Sequence, residues 1–63
     1  MGIQEMVLID YDYIVVDRPD LDAVLFNIMG SEVWIPRSLI EDIWEEDGQV
    51  EISLWFAEKE GLV

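Results

Sequence analysis

Apolar and polar residues alternate through Glu5 to Val16, EMVLIDYDYIVV, so that Leu8, Asp10, Asp12 and Ile14 fall on one side and Ile9, Tyr11 and Tyr13 on the other. A period of two in a stretch rich in Val, Ile and Tyr predicts a β-strand. The pattern reads as one long strand with residues 1–4 as a loose terminus ahead of it, Asp10 and Asp12 on one face and the two tyrosines on the other. Acids along such a strand also discourage edge-to-edge pairing. Asp17-Arg18-Pro19-Asp20 ends the strand, since proline fixes φ, lacks an N–H donor and restricts the residue before it. Ala23 to Ile28 forms the next apolar run. Met29-Gly30 then leads into Ser31-Glu32-Val33-Trp34-Ile35, which predicts a hairpin closed at Pro36. A two-residue turn at Met29-Gly30 sets Phe26 against Val33 and Val24 against Ile35 on one face, and Leu25 against Trp34 on the other.

Residues 38–45 carry two signals. Ser38 with Glu41 has capping-box spacing, and Leu39, Ile40, Ile43 and Trp44 share a helical face. Asp47-Gly48, however, is a strong hairpin signal, because a type I′ turn needs positive φ at both central residues. A turn over Ser38 to Ile40 followed by a strand from about Asp42 satisfies both. The I′ register places Glu46 opposite Gln49, Glu45 opposite Val50, Trp44 opposite Glu51 and Ile43 opposite Ile52. Beyond that strand, Ser53 is a candidate N-cap, Leu54 to Lys59 a short helix, and Gly61 the left-handed residue that folds Leu62 back onto Ala57. So short a helix persists only when docked on a sheet. The expected fold class is α+β, a small antiparallel sheet of about five strands (two hairpins plus the long N-terminal strand) with one short C-terminal helix packed on it.

Sixty-three residues predict one domain, 1–63, and a domain this small buries only about 60% of its unfolded surface. The chain has no cysteine and no histidine, which removes disulfides, thiolate metal sites and the commonest general base. With no threonine either, Ser31, Ser38 and Ser53 have no base to activate them. An EF-hand counted from Asp10 fails, since Ile14 and Val15 stand where an acid and a glycine belong. No enzymatic activity, cofactor or metal is therefore expected. A content of 52% hydrophobic residues supplies a core, so the chain should fold despite its charge.

That charge is the largest departure from the ordinary. Fifteen carboxylates against Arg18, Arg37 and Lys59 give a net charge of -12. Such a surface repels nucleic acid and anionic membranes and is complementary to a positively charged protein. The N-terminal stretch lacks a basic region, and no apolar run reaches the roughly 18 residues of a membrane span, which predicts a cytoplasmic protein.

Val33-Trp34-Ile35-Pro36-Arg37-Ser38-Leu39-Ile40 and Trp55-Phe56-Ala57-Glu58-Lys59-Glu60-Gly61-Leu62 add a signal of another kind. Over roughly residues 23–62 the chain resembles a group of very small bacterial and phage proteins with a VWIPxSxI strand ending and a closing WxAEKxGL helix. Leu39 and the Trp55-Phe56 pair depart from that pattern, standing where a polar residue and a Trp-aliphatic pair are expected. The motifs are structural, so the resemblance implies a sheet-plus-helix fold and a mobile-element context rather than an activity. By type, small and strongly acidic proteins of such contexts resemble DNA-mimic inhibitors of host defence, of the anti-CRISPR or anti-restriction kind.

The acids fall into two groups. Glu41, Asp42, Glu45, Glu46, Asp47 and Glu51 form the primary candidate patch, and Asp10, Asp12, Asp17, Asp20 and Asp22 a second. Alternate strand residues lie about 6.7 Å apart, so rows of carboxylates match the scale on which backbone charges recur in nucleic acid. The leading expectation is a non-enzymatic inhibitor that occupies the basic nucleic-acid-binding groove of a defence nuclease or CRISPR effector subunit. The alternative is a structural interaction module, monomer or homodimer, in which Trp34, Trp44 or Trp55 makes an apolar contact and the acids only solubilise.

Overall fold

The Glu5 to Val16 run is extended, as its alternation predicts, but it does not remain in one sheet. In the computed structural model, which describes residues 4–63, the run divides into β1 (Met6–Asp10) and β2 (Tyr13–Val16). The Tyr11 N–H donates to the Gly48 carbonyl at 2.9 Å, and the Asp12 N–H donates to the Asn27 carbonyl at 2.8 Å. Successive N–H groups of an extended chain point to opposite edges, so the strand holds one neighbour on each side and changes sheets at this bend. Among the described residues there are thus six strands in two three-stranded antiparallel sheets, where a single sheet of about five strands was expected. The expected tyrosine face is split as well. Tyr11 packs edge-on to Phe26 with ring centroids 5.1 Å apart, whereas Tyr13 is exposed and its hydroxyl accepts from Asn27 Nδ2 at 3.2 Å. Residues 1–3 of the expected loose terminus lie outside the described residues.

The remaining elements are β3 (Ala23–Ile28), β4 (Ser31–Pro36), a 3₁₀ turn (Arg37–Leu39), β5 (Ile40–Trp44), β6 (Gln49–Ser53) and α1 (Leu54–Lys59). One sheet has the order β1-β6-β5, the other β2-β3-β4. Their inner faces and the helix share a core of Ile9, Val24, Phe26, Ile28, Ile35, Val50, Ile52, Phe56 and Ala57.

The β3–β4 hairpin has the expected register, with Phe26 opposite Val33, Leu25 opposite Trp34 and Val24 opposite Ile35. Its turn residues Met29 and Gly30 have φ of 52° and 83°, as a type I′ turn requires. Met29 is 90% exposed and gains no packing to offset the strain of a left-handed side chain. Met29→Asn is therefore expected to stabilise the protein by about 1 kcal/mol, raising Tm by roughly 4–8 °C in thermal melts followed by circular dichroism.

The β5–β6 hairpin differs from expectation. Trp44 lies opposite Gln49, Ile43 opposite Val50, Asp42 opposite Glu51 and Ile40 opposite Ile52, with a bulge at Glu41. Gly48 has φ 63° but Asp47 does not adopt positive φ, so the I′ condition fails. Instead, Asp47 N–H donates to the Trp44 carbonyl and Gly48 N–H to that of Glu45, making a four-residue loop of Glu45 to Gly48. The physical reason is burial. A two-residue turn would have set Glu45 beside Val50 on the core face, and an unpaired carboxylate there is costly. The longer loop places Ile43 against Val50, and the bulge returns Ile40 to Ile52.

Helix α1 ends as expected. Gly61 has φ 72°, its N–H donates to the Glu58 carbonyl, and the Leu62 N–H donates to Ala57 at 2.8 Å. The start is different. Ser53 occupies the N-cap position, but its side chain makes no capping bond, and its Oγ is fully buried without a partner. The Leu54 N–H, the first of the helix, donates to the Glu5 carbonyl at 2.9 Å, so the backbone just ahead of β1 satisfies one of the free donors at this helix start. Ser53→Ala is consequently expected to be neutral or slightly stabilising in urea denaturation. A loss of about 1 kcal/mol would show that the hydroxyl caps the helix after all.

Candidate partner-binding surface

Val50 and Ile52 point into the core, so alternation along β6 turns Gln49 and Glu51 outward. The paired positions on the flanking strands share that outer face. One row runs Asp10, Gln49, Trp44 and the next Leu8, Glu51, Asp42. Gln49 Nε2 donates to Asp10 Oδ1 at 3.0 Å, which fixes one edge of the block. Glu41 is exposed at the bulge, and Glu45, Glu46 and Asp47 are exposed in the loop beyond the block. The six acids of the primary patch therefore lie on one hairpin, two of them facing each other across β5 and β6. Like charges at directly opposed strand positions destabilise a sheet. Glu45 also lies close enough to Tyr11 to matter electrostatically: the phenol is held above its ordinary pKa first by burial and then by the Glu45 carboxylate.

The second expected group does not form a comparable patch. Asp10 belongs to the face just described, across β6 from Trp44. Asp12 sits at the bend, where its Oδ2 accepts a long hydrogen bond from Gly30 N–H at 3.4 Å. Asp17 and Asp20 are both neutralised. Arg37 pairs with Asp17 at 2.7 Å, and Arg18 holds Asp20 through both carboxylate oxygens. Arg37 Nε also donates to the Leu21 carbonyl at 2.7 Å and Nη2 to that of Arg18, while its backbone N–H reaches the Asp22 carbonyl. Arg37 thus fastens the loop between β2 and β3. Its placement is structural, and these exposed ion pairs contribute under about 1 kcal/mol each. Among the described residues, both ion pairs fall in this second group and neither in the primary patch.

The outer face has two apolar members, of which Leu8 was not anticipated as a site residue and Trp44 was expected only as the apolar contact of the alternative reading. Leu8 is 49% exposed and Trp44 45% exposed, both beside carboxylates. The available signal was the β6 alternation, which requires the hairpin register before it can be used. Trp34 and Trp55 are also about half exposed, but on other surfaces: the outer face of β2-β3-β4 and the helix. Two open hollows border the strands. One, of about 370 Å³, is lined by Leu8, Ile9, Asp10, Ile28, Met29, Leu62 and Val63, and the other, of about 240 Å³, by Gln4, Glu5, Leu54, Trp55 and Glu58. Neither brings a nucleophile to a base. Among the described residues no group of three or more acids is arranged to hold a metal ion, and no helix is long and apolar enough to cross a membrane.

The crowding predicts a salt response. Repulsion among exposed carboxylates is screened over about 10 Å at 0.1 M ionic strength. Tm is expected to rise as sodium chloride is increased from about 0.01 M towards 0.1 M, where the Debye length shortens from roughly 30 to 10 Å. A Tm that stays flat or falls over that range would show that the acids do not oppose folding. Comparison with protein-family models, curated proteins and solved structures returns no match for this chain.

Proposed function

We propose that the protein is a non-enzymatic inhibitor of the anti-CRISPR or anti-restriction type, which occupies the basic nucleic-acid-binding groove of a host defence protein. The observation that supports this reading most is the contrast between the two acidic groups. Folding uses Arg18 and Arg37 to neutralise Asp17 and Asp20, yet Glu41, Asp42, Glu45, Glu46, Asp47 and Glu51 lie together with no basic partner among the described residues. A facing pair such as Asp42 and Glu51 costs stability, so its presence suits a role outside folding. Carboxylates on adjacent strands stand in for backbone phosphates, and inhibition is competition for the groove. The resemblance of the 33–40 and 55–62 segments to very small phage and bacterial proteins agrees with a site of action in the host cytoplasm.

A second reading keeps one specific observation in its favour. Three half-exposed tryptophans on three surfaces suit an interaction module, monomer or homodimer, held by an apolar contact.

Competition separates the two readings. Immobilised protein is loaded with a host lysate and eluted with either duplex DNA or RNA at low salt. Under the inhibitor reading the retained protein is a nucleic-acid binder that the competitor releases, and its retention weakens steeply with ionic strength. Retention that resists both nucleic acid and salt excludes mimicry and favours the apolar module.

A further inference from the structure

The geometry points to the outer face of the β1-β6-β5 sheet as a docking surface for an arginine-bearing segment of the partner, with Trp44 as the platform on which a guanidinium stacks. This inference rests on the inhibitor reading and names the chemistry of the contact.

The face is a block of two rows, Asp10, Gln49, Trp44 and Leu8, Glu51, Asp42, and among the described residues no element covers it: Leu8 and Trp44 are each about half exposed. Neighbouring strands stand about 4.8 Å apart and alternate residues about 6.7 Å apart, so the indole has Asp42 beside it on its own strand and Glu51 on the diagonal. A wholly anionic face would take any cation. A face with an indole set among carboxylates is more selective, because a planar guanidinium can lie on the ring while its N–H fork reaches an adjacent carboxylate. A lysine ammonium is a compact, strongly hydrated charge that gives up more to approach the same ring. Gln49 is committed to Asp10, which leaves Glu51 and Asp42 as the carboxylates that share this face with the indole at neighbouring strand positions. Asp42 Oδ1 accepts from the Ile43 N–H at 2.8 Å, which orients that carboxylate. Trp34 and Trp55 are as exposed but stand outside the six-acid hairpin: Trp34 pairs with Leu25 and has Glu32 two residues before it, and Trp55, beside Glu5 and Glu58, packs edge-on to Phe56.

The test uses the intact protein with nona-arginine and nona-lysine peptides as probes, titrated by calorimetry at about 0.1 M ionic strength. Nona-arginine is expected to bind more tightly. Trp44→Leu is expected to weaken nona-arginine by about fivefold while leaving nona-lysine unchanged. Trp34→Leu and Trp55→Leu leave both affinities as they are, and Asp42→Asn with Glu51→Gln weakens both. Should Trp44→Leu not fold, a Trp34→Phe, Trp55→Phe variant makes Trp44 the sole indole, and its emission is expected to shift when nona-arginine is added. Equal affinity for the two peptides, a Trp44 variant that binds nona-arginine like the parent, or unchanged Trp44 emission would overturn the proposal. Failure of mimicry is separately visible. If nucleic acid does not displace the captured partner but nona-arginine still requires Trp44, the docking surface stands without the inhibitor reading. If nucleic acid displaces the partner and Trp44 is irrelevant, only the docking surface falls.

Discussion

Phe26→Ala is expected to remove most of the stability of this protein. Phe26 is completely buried on the central strand of the β2-β3-β4 sheet, packs against Tyr11 and joins the core that spans both sheets. Truncating a buried phenylalanine costs about 3–5 kcal/mol, as lost burial and the cavity left behind add. At roughly 0.05–0.15 kcal/mol per residue, a chain of this length has only about 3–9 kcal/mol in all. The variant should thus be largely unfolded at 37 °C or have a melting temperature lowered by well over 10 °C, read by far-ultraviolet circular dichroism. The half-exposed Trp34 is the control, since Trp34→Ala should cost much less. If the two variants melt alike, the core does not lie where these sheets place it.

The second large effect concerns binding. Replacing Glu45, Glu46 and Asp47 with Gln, Gln and Asn removes three charges from the hairpin loop. The loop's own hydrogen bonds run from backbone N–H groups to backbone carbonyls, and all three side chains are exposed, so the fold should survive. Exposed ion pairs are worth about 0.2–1 kcal/mol each, so the triple variant should lose about tenfold in affinity for a basic partner, mostly through slower association. Under the apolar-module reading it should bind like the parent, whereas Trp44→Ala should abolish binding. Parental affinity in a folded triple variant, measured near physiological salt, would remove the loop acids from the site.

The features legible in the sequence are those decided by a few adjacent residues. Met29-Gly30 determined a hairpin and its register because positive φ at two successive positions leaves little choice of turn. Gly61 determined the helix end for the same reason, and Leu62 followed it onto Ala57. Pro36 and the turn after it separated β4 from β5, although the turn spans Arg37–Leu39 and β5 begins at Ile40 rather than at about Asp42. The features that only the tertiary structure decided depend on distant residues. Nothing local marks Tyr11-Asp12 as a bend: it forms because Gly48 and Asn27 accept successive N–H groups from opposite sides. Asp47-Gly48 is a good I′ sequence, but the core face at Val50 accepts Ile43 and excludes Glu45, and that requirement overrode the turn. Ser53 has the residue type of a cap and the burial of a core residue: it is the last residue of β6 as well as the first flank of the helix, and its hydroxyl is buried without a partner. Sorting the acids was likewise a tertiary matter. Arg37 comes from beyond β4 to neutralise Asp17, and β6 carries Glu51 up to Asp42, so one acidic group is tied into the fold and the other is left facing out.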